Sequence, residues 1–421
     1  MFDYLSKPLK IGSTTLPNRV CFLAHRTNLA KKGRLTDRHL AYYGRRAMGK
    51  CGLIIVGEMS IHPEDRPWES MIELYCPGIH GDLERLTDSV HMHGTAIFAQ
   101  LNHHGFQSSG AITRRAVWGP SAVSDIVFGE TAKPMEPEDF EILTGAFTQA
   151  AGIAKEGGFD GVEIDMGPES ILRQFLSPLS NHRQDSYGGS IENRMRLPLQ
   201  VLQAVRQEVG EGYTVGIRLC VDEKFWGAIT PEESDIFAKD FVKEGKADFI
   251  NVSVGTYYNL HLFMASMHTP FGFTIDAAAH VKETAGIPVI ASHQVSTPAM
   301  AEEIFQKGQA DAVGLIRNLI CDPDWPAKAM EGRVEDIRYC VRDNKGCIGR
   351  VNRSRQIGCI QNPAVGKESP EGNPAQAKAA ASVMMAKALR SVIGASFVNR
   401  LTLLFLRRRR RRPRSRNRIV S

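Results

Sequence analysis

The chain has 421 residues, 43% of them hydrophobic and 23% charged, the proportions of an ordinary globular protein rather than a disordered or fibrous one. Its formal charge of +6 misleads as a guide to partners: ten arginines and no acid lie in residues 400–421, and without them +6 becomes −4. The basic character therefore belongs to the tail, no nucleic-acid partner is expected, and no apolar run is long enough to span a bilayer. Met1-Phe-Asp-Tyr-Leu-Ser-Lys7 lacks a charged-then-apolar leader, so a cytoplasmic location is expected. The eight cysteines then read as core residues or metal ligands rather than disulfides.

In chain order, eight short apolar segments recur: Arg19–Ala24, Leu53–Gly57, Ala96–Gln100, Gly161–Asp165, Val215–Leu219, Phe249–Ser253, Val289–Ser292 and Ala312–Leu315. Helical periodicity fills the intervals, as in Asp139–Glu156, Glu192–Glu208, Pro231–Glu244 and Pro298–Lys307, with Ser190 and Asn193 placed to cap the second of these. Apolar strands alternating with helices imply a parallel sheet. Eight such units in about 330 residues predict an α/β fold, a TIM (β/α)8 barrel. A doubly wound open sheet is the alternative, disfavoured because no Gly-x-Gly-x-x-Gly turn follows a strand.

Residues 1–335 are assigned to the barrel. Residues 336–367 form a short segment holding Cys340, Cys347 and Cys359 among turn residues. Residues 368–421 are an atypical basic tail, apolar before its arginine run. The tail reads as the product of a shifted reading frame, as a disordered extension, or as a membrane-surface or nucleic-acid anchor.

The motifs Leu16-Pro-Asn-Arg-Val20, Gln100-Leu-Asn-His-His-Gly105, Gly158–Glu163, Gln174-Phe-Leu-Ser-Pro178, Tyr187–Arg194, Gly216-Ile-Arg-Leu219 and Ala310–Arg317 run through the barrel in order. Together they make residues 1 to about 365 resemble the old yellow enzyme family of flavin oxidoreductases. More narrowly, they resemble its iron–sulfur subgroup, which includes 2,4-dienoyl-CoA reductase, trimethylamine dehydrogenase and mycofactocin-associated oxidoreductases. The resemblance implies an enzyme with non-covalent FMN at the C-terminal mouth of the barrel. It would move hydride between NADH or NADPH, or an electron-transfer partner protein, and a small enone- or dienoyl-like molecule. A homo-oligomer is expected. The FAD- and nicotinamide-binding module that follows in the subgroup has no counterpart after residue 368.

The matching positions make chemical sense. Gln100 offers an amide to the edge of the isoalloxazine, Arg218 a fixed cation to its N1/O2 side, and Arg317 a cation to the phosphate. Ala24 and Gly57 are small where backbone approaches a planar ring. His293 and Gln294 stand where the family has Gly-Arg, so one fixed charge is lost and weaker FMN binding is expected. Asp165 and Pro168 replace the pair that anchors a carbonyl, and Ser170 replaces the tyrosine that protonates carbon. Substitute acids are sought among His25, His103, His104, Tyr257, Tyr258 and His261. Asp165 alternatively marks a cationic or hydroxylated substrate, hence an amine or alcohol dehydrogenase unloading electrons through a cluster, or it simply pairs with Arg173 or Arg26. A third reading is a catalytically impaired barrel lacking the proton donor.

The subgroup binds a 4Fe–4S cluster through Cys-x2-Cys-x3-Cys-x11-Cys. Cys340, Cys347 and Cys359 match three of those places and Asp343 the second. A cluster completed by Asp343, a labile or three-iron cluster, a zinc site, and three reduced thiols all remain open. The other cysteines, Cys321 among them, read as packing residues.

Overall fold

The computed structural model describes residues 2–368; the basic tail lies outside the described residues. Eight parallel strands close on themselves: β1 (Val20–Phe22), β2 (Leu53–Ser60), β3 (Ala96–Asn102), β4 (Gly161–Met166), β5 (Thr214–Asp222), β6 (Phe249–Val254), β7 (Val289–Ala291) and β8 (Ala312–Gly314). Each pairs in parallel with its neighbours, and β8 pairs back onto β1, so the barrel has no free edge. The expected (β/α)8 architecture is what the chain adopts.

Period-two burial explains the strand sequences. One set of side chains fills the barrel interior, including Leu53, Ile55, Phe98, Phe249 and Ile290. The alternate set, including Ile54, Val56, Ile97, Val215 and Ile217, packs outward under the helices. Gly216 is required inside, because a Cβ there would sit 2.0 Å from the Phe249 ring. A hairpin of Leu9–Ile11 with Thr14–Leu16 adds Ile11 and Leu16 to the interior cluster and bonds through Thr14 to Thr214 at the start of β5. The N-terminal end of the barrel is thereby stoppered, which leaves the C-terminal mouth for chemistry.

The outer helices are α1 (Asp37–Met48), α2 (Ile79–His91), α3 (Pro137–Glu156), α4 (Ile191–Val209), α5 (Pro231–Lys243), α6 (Ile275–Ala285), α7 (Pro298–Gln306) and, after β8, α8 (Trp325–Met330). Ser190 caps α4, accepting the Asn193 N–H; Thr230 and Thr297 cap α5 and α7 just before Pro231 and Pro298. α3 begins two residues before its expected start, since Pro137 suits the first turn and Asp139 reaches back to the Glu136 N–H.

Residues 337–368 fold back onto the loop after β1. Thr27 carbonyl accepts Ile357 N–H at 2.9 Å, and Asn28 Nδ2 donates to the carbonyls of Val351 and Arg355. Arg46 of α1, wholly buried over the Tyr42 ring, pairs with Glu368 at 2.5 Å. Barrel and cysteine segment thus belong to one compact unit. No helix among the described residues is long and apolar enough to cross a membrane.

Candidate active site

A cavity of about 500 Å³ opens at the C-terminal mouth, walled by the ends of the strands and the loops after them. Its floor is a buried polar string. Gln100 Nε2 on β3 donates to Glu163 Oε1 (2.8 Å) on β4, and Asn251 Nδ2 on β6 donates to Glu163 Oε2 (2.9 Å). Burial pushes the Glu163 carboxyl up, and Gln100 Oε1 and Asn251 Oδ1 are left buried without partners. Such orphaned acceptors suit a ligand that brings its own N–H groups. Gly57 must be glycine, because a Cβ would come within 2.8 Å of Gln100 Cβ.

Arg218, on β5, lies in the wall and donates from Nη1 to Glu169 Oε1 at 2.8 Å. Burial alone would lower its pKa, but Glu169, Asp165, Glu163 and Glu58 raise it, so the guanidinium is a permanent cation. At the far end His293 and Gln294 follow β7, both in the left-handed region at φ 61° and 64°. Burial, with the charges of Arg218 and Arg317, lowers His293 to about 3, so its ring is neutral. Arg317 donates from Nη1 to Asn344 Oδ1 at 2.6 Å and to the Ala265 carbonyl. Arg342 reaches in from the cysteine segment, donating from Nη1 to Gln294 Oε1 (3.2 Å) and to the Thr269 carbonyl (2.9 Å) while lying over Phe271. Arg342 thus brings a guanidinium beside Gln294, and with Arg317 it makes two in this part of the wall.

The loop after β4 is arranged differently from its expected chemistry. Asp165 is fully buried, does not reach the cavity wall, and accepts the Gly167 N–H at 2.7 Å. Burial and the neighbouring Glu169 push its carboxyl far up. It pairs with neither proposed partner: Arg173 binds Glu223 at 3.0 Å, and Arg26 bonds Asn28. Ser170 also lies off the wall. Its hydroxyl caps the short helix Ile171–Leu176, accepting Leu172 N–H and donating to the Asp165 carbonyl. Glu169, between them, is the member of this loop that faces the cavity.

Of the other candidates, His25 lines the wall, but its Nδ1 meets the Leu23 carbonyl and its Nε2 meets Tyr42 Oη, both at 2.8 Å. Because Nδ1 must donate to a carbonyl and burial lowers the ring to about 4, Nε2 accepts, and His25 offers no proton. Tyr257 lines the wall with a hydroxyl that makes no hydrogen bond among the described residues; burial keeps it protonated. His103, Tyr258 and His261 are not in the wall.

The sequence reading missed Glu58. It follows Gly57 at the end of an apolar run and enters the cavity, its Oε2 2.5 Å from His104 Nε2. His104 Nδ1 faces Asp65 at 2.9 Å, and Asp65 is fully buried. Burial opposes charge on His104, yet Asp65 and Glu58 hold its pKa well above the ordinary value. In turn His104 holds Glu58 below its usual range despite burial, so Glu58 is an oriented anion. A carboxylate directly after the glycine that closes the apolar run was the available signal.

Cys340, Asp343, Cys347 and Cys359 line a second, small cavity beside Arg317. Among the described residues no three potential ligands converge on a metal position, so the expected cluster ligands share a wall without forming a coordination shell. Cys321 is more than packing: its Sγ donates to Gln361 Oε1 at 3.5 Å, and its nearness holds the Cys359 thiol below the ordinary range.

Residues 4–336 match the NADH:flavin oxidoreductase / NADH oxidase family. The chain belongs to that family. It is 36% identical to N,N-dimethylglycine/sarcosine dehydrogenase of Chromohalobacter salexigens over 87% of this chain and 54% of that protein. It is 32% identical to NADPH dehydrogenase of Bacillus subtilis over 81% of this chain and 98% of that one. Among solved structures, 2-naphthoyl-CoA reductase in complex with 2-naphthoyl-CoA superposes with a TM-score of 0.84 at 28% identity, covering 89% of this chain and 59% of the other. The chain spans about half the length of the first curated relatives it matches.

Proposed function

We propose that this chain is an FMN-dependent oxidoreductase that moves hydride between NADH or NADPH, or a partner protein, and a small organic molecule in the cavity. One observation carries the reading: a single cavity has Gln100, Arg218, Arg317 and Arg342 together in its wall. Amide and guanidinium suit the polar edge of an isoalloxazine, and two guanidiniums suit a phosphate. Bound there, FMN supplies a ring that takes or gives hydride. Arg26 occupies the position where the resembled amine dehydrogenases carry a linking cysteine, and a guanidinium is no nucleophile, so the attachment is non-covalent.

The protein's own part is to position and protonate. For reduction of an activated alkene, the Tyr257 hydroxyl is the group able to give a proton, since Ser170 and His25 have theirs engaged. A second reading, oxidation of an amine, is favoured by the anion Glu58 in the wall, which would hold a cationic substrate. No step is assigned to an iron–sulfur cluster, because Cys340, Asp343, Cys347 and Cys359 do not converge. The test is uptake of FMN by the purified full-length chain, read as a flavin visible spectrum, followed by anaerobic mixing with NADH and NADPH. A folded chain that takes up no flavin overturns the proposal; uptake without bleaching transfers electron supply to a partner.

A further inference from the structure

Two buried carboxyls depend on one cation at the edge of the cavity. Arg218 stands directly opposite Asp165 in the register of β4 and β5, and its Nη1 donates to Glu169 Oε1 at 2.8 Å. Asp165 and Glu169 are both buried, and each keeps one oxygen, Oδ2 and Oε2, without a partner among the described residues. Glu169 carries the charge that acts most strongly on Asp165. The other acids around Arg218 are already matched. Glu163 accepts from the amides of Gln100 and Asn251, and Glu58 faces His104, which also faces Asp65. Arg173, on the short helix that follows, is bound to Glu223, and Tyr257 in the same wall is a neutral phenol.

Two full negative charges out of water, with one guanidinium for both, are held at high cost. One proton removes one of the charges and turns a carboxyl oxygen without a partner into a donor. We propose that Asp165 and Glu169 hold a single proton in common, and that the pair takes a second from solvent when negative charge enters the cavity beside Arg218. Glu169 is the member in the wall and meets that charge; Asp165 lies off the wall and acts through it. The second half rests on the reading of the cavity as a flavin site. Hydride delivered to the ring brings one negative charge, Arg218 is then shared between that charge and Glu169, and the pair gains one proton from water, so the charge of the site is unchanged. Glu169 is thus a positioning residue for charge, and the Tyr257 hydroxyl keeps the role of donor to the substrate.

The first half is tested on the flavin-free full chain by infrared difference spectroscopy near neutral pH, reading the C=O stretch of protonated carboxyls and its shift in heavy water. Parent minus Asp165→Asn and parent minus Glu169→Gln should each show the loss of one protonated carboxyl, because the carboxyl left behind has Arg218 to itself and ionises. Glu163 is common to all three chains and cancels. A parent without the band, or either variant retaining it, would overturn the shared proton. The second half is read from the flavin midpoint potential of the FMN-loaded full chain against pH, without oxygen. The slope should be steeper in the parent than in the double variant Asp165→Asn with Glu169→Gln, by up to about 30 mV per pH unit, one proton for a two-electron couple. The single variants should fall between them. Equal slopes in parent and variants would overturn the uptake and leave the flavin reading standing. A chain that holds no FMN would remove the flavin reading and the uptake with it, and the infrared result would still decide the shared proton.

Discussion

Arg342→Met tests how the phosphate end is built. Arg342 sits beside Gln294 and shares the cavity with Arg317, so in an FMN complex its guanidinium supplies the charge that Gln294 lacks. A charge-assisted hydrogen bond to phosphate is worth about 1.5–3 kcal/mol, roughly ten- to 150-fold in Kd. Arg342 is half-buried, so solvent screening favours the lower half of that range. The same side chain also holds the carbonyls of Met267 and Thr269, and its loss could act by loosening that loop. Riboflavin, which lacks the phosphate, separates the two effects. Quenching of flavin fluorescence by flavin-free protein should show FMN weakened by an order of magnitude and riboflavin unchanged. Equal losses for both flavins, or no loss for FMN, would refute the assignment.

Other expectations follow from single contacts. Arg218→Met leaves Glu169 buried without its cation and should cost about 3–5 kcal/mol in urea unfolding; the double variant with Glu169→Gln should recover part of that, and a single variant as stable as the parent would contradict the pairing. Ser170→Ala should cost about 1 kcal/mol as a lost helix cap while leaving flavin reoxidation by a probe such as cyclohexenone unchanged; a collapse of that rate would return Ser170 to the chemistry. The His104 network should give a signed pH dependence. His104 is raised above its ordinary 6.5, so its contribution is full below 6.5 and fades as pH climbs through the folded value. Asp65 is lowered below its ordinary 3.8, so its contribution holds above 3.8 and fades as pH falls through the folded value. The stability gap between parent and His104→Gln should therefore be widest between about pH 4 and 6.5 and narrow above it; a gap constant up to about pH 9 would refute the pairing.

The barrel was legible because its strands are apolar on both faces and its caps and prolines are local signals. Gln100, Arg218 and Arg317 were named from the family motifs in which they stand, and the fold brings all three into one cavity wall. The rest depended on geometry that spacing does not encode. Arg342 meets Gln294 across 48 residues of chain, and only the fold-back of the cysteine segment brings them together. Asp165, Glu169 and Ser170 are neighbours in sequence, but the turn into Ile171–Leu176 sends one to the cavity and two into local hydrogen bonds. His25 sits in the wall, yet its tautomer is fixed by a carbonyl and a phenol on different elements.

The cysteine segment gives the barrel a shared partition. Cys347 belongs to the small thiol-lined cavity and also to the wall of the large one, with Ile348 and Val351 beside it. Val351 is tied through Asn28 to the loop that carries His25 and Arg26. Oxidation, alkylation or metal capture at Cys347 would therefore take place in the wall of the large chamber as well as in the small one. Cys347 is thus a single side chain with a face on each of two chambers, and its chemistry on one side is a change of wall on the other.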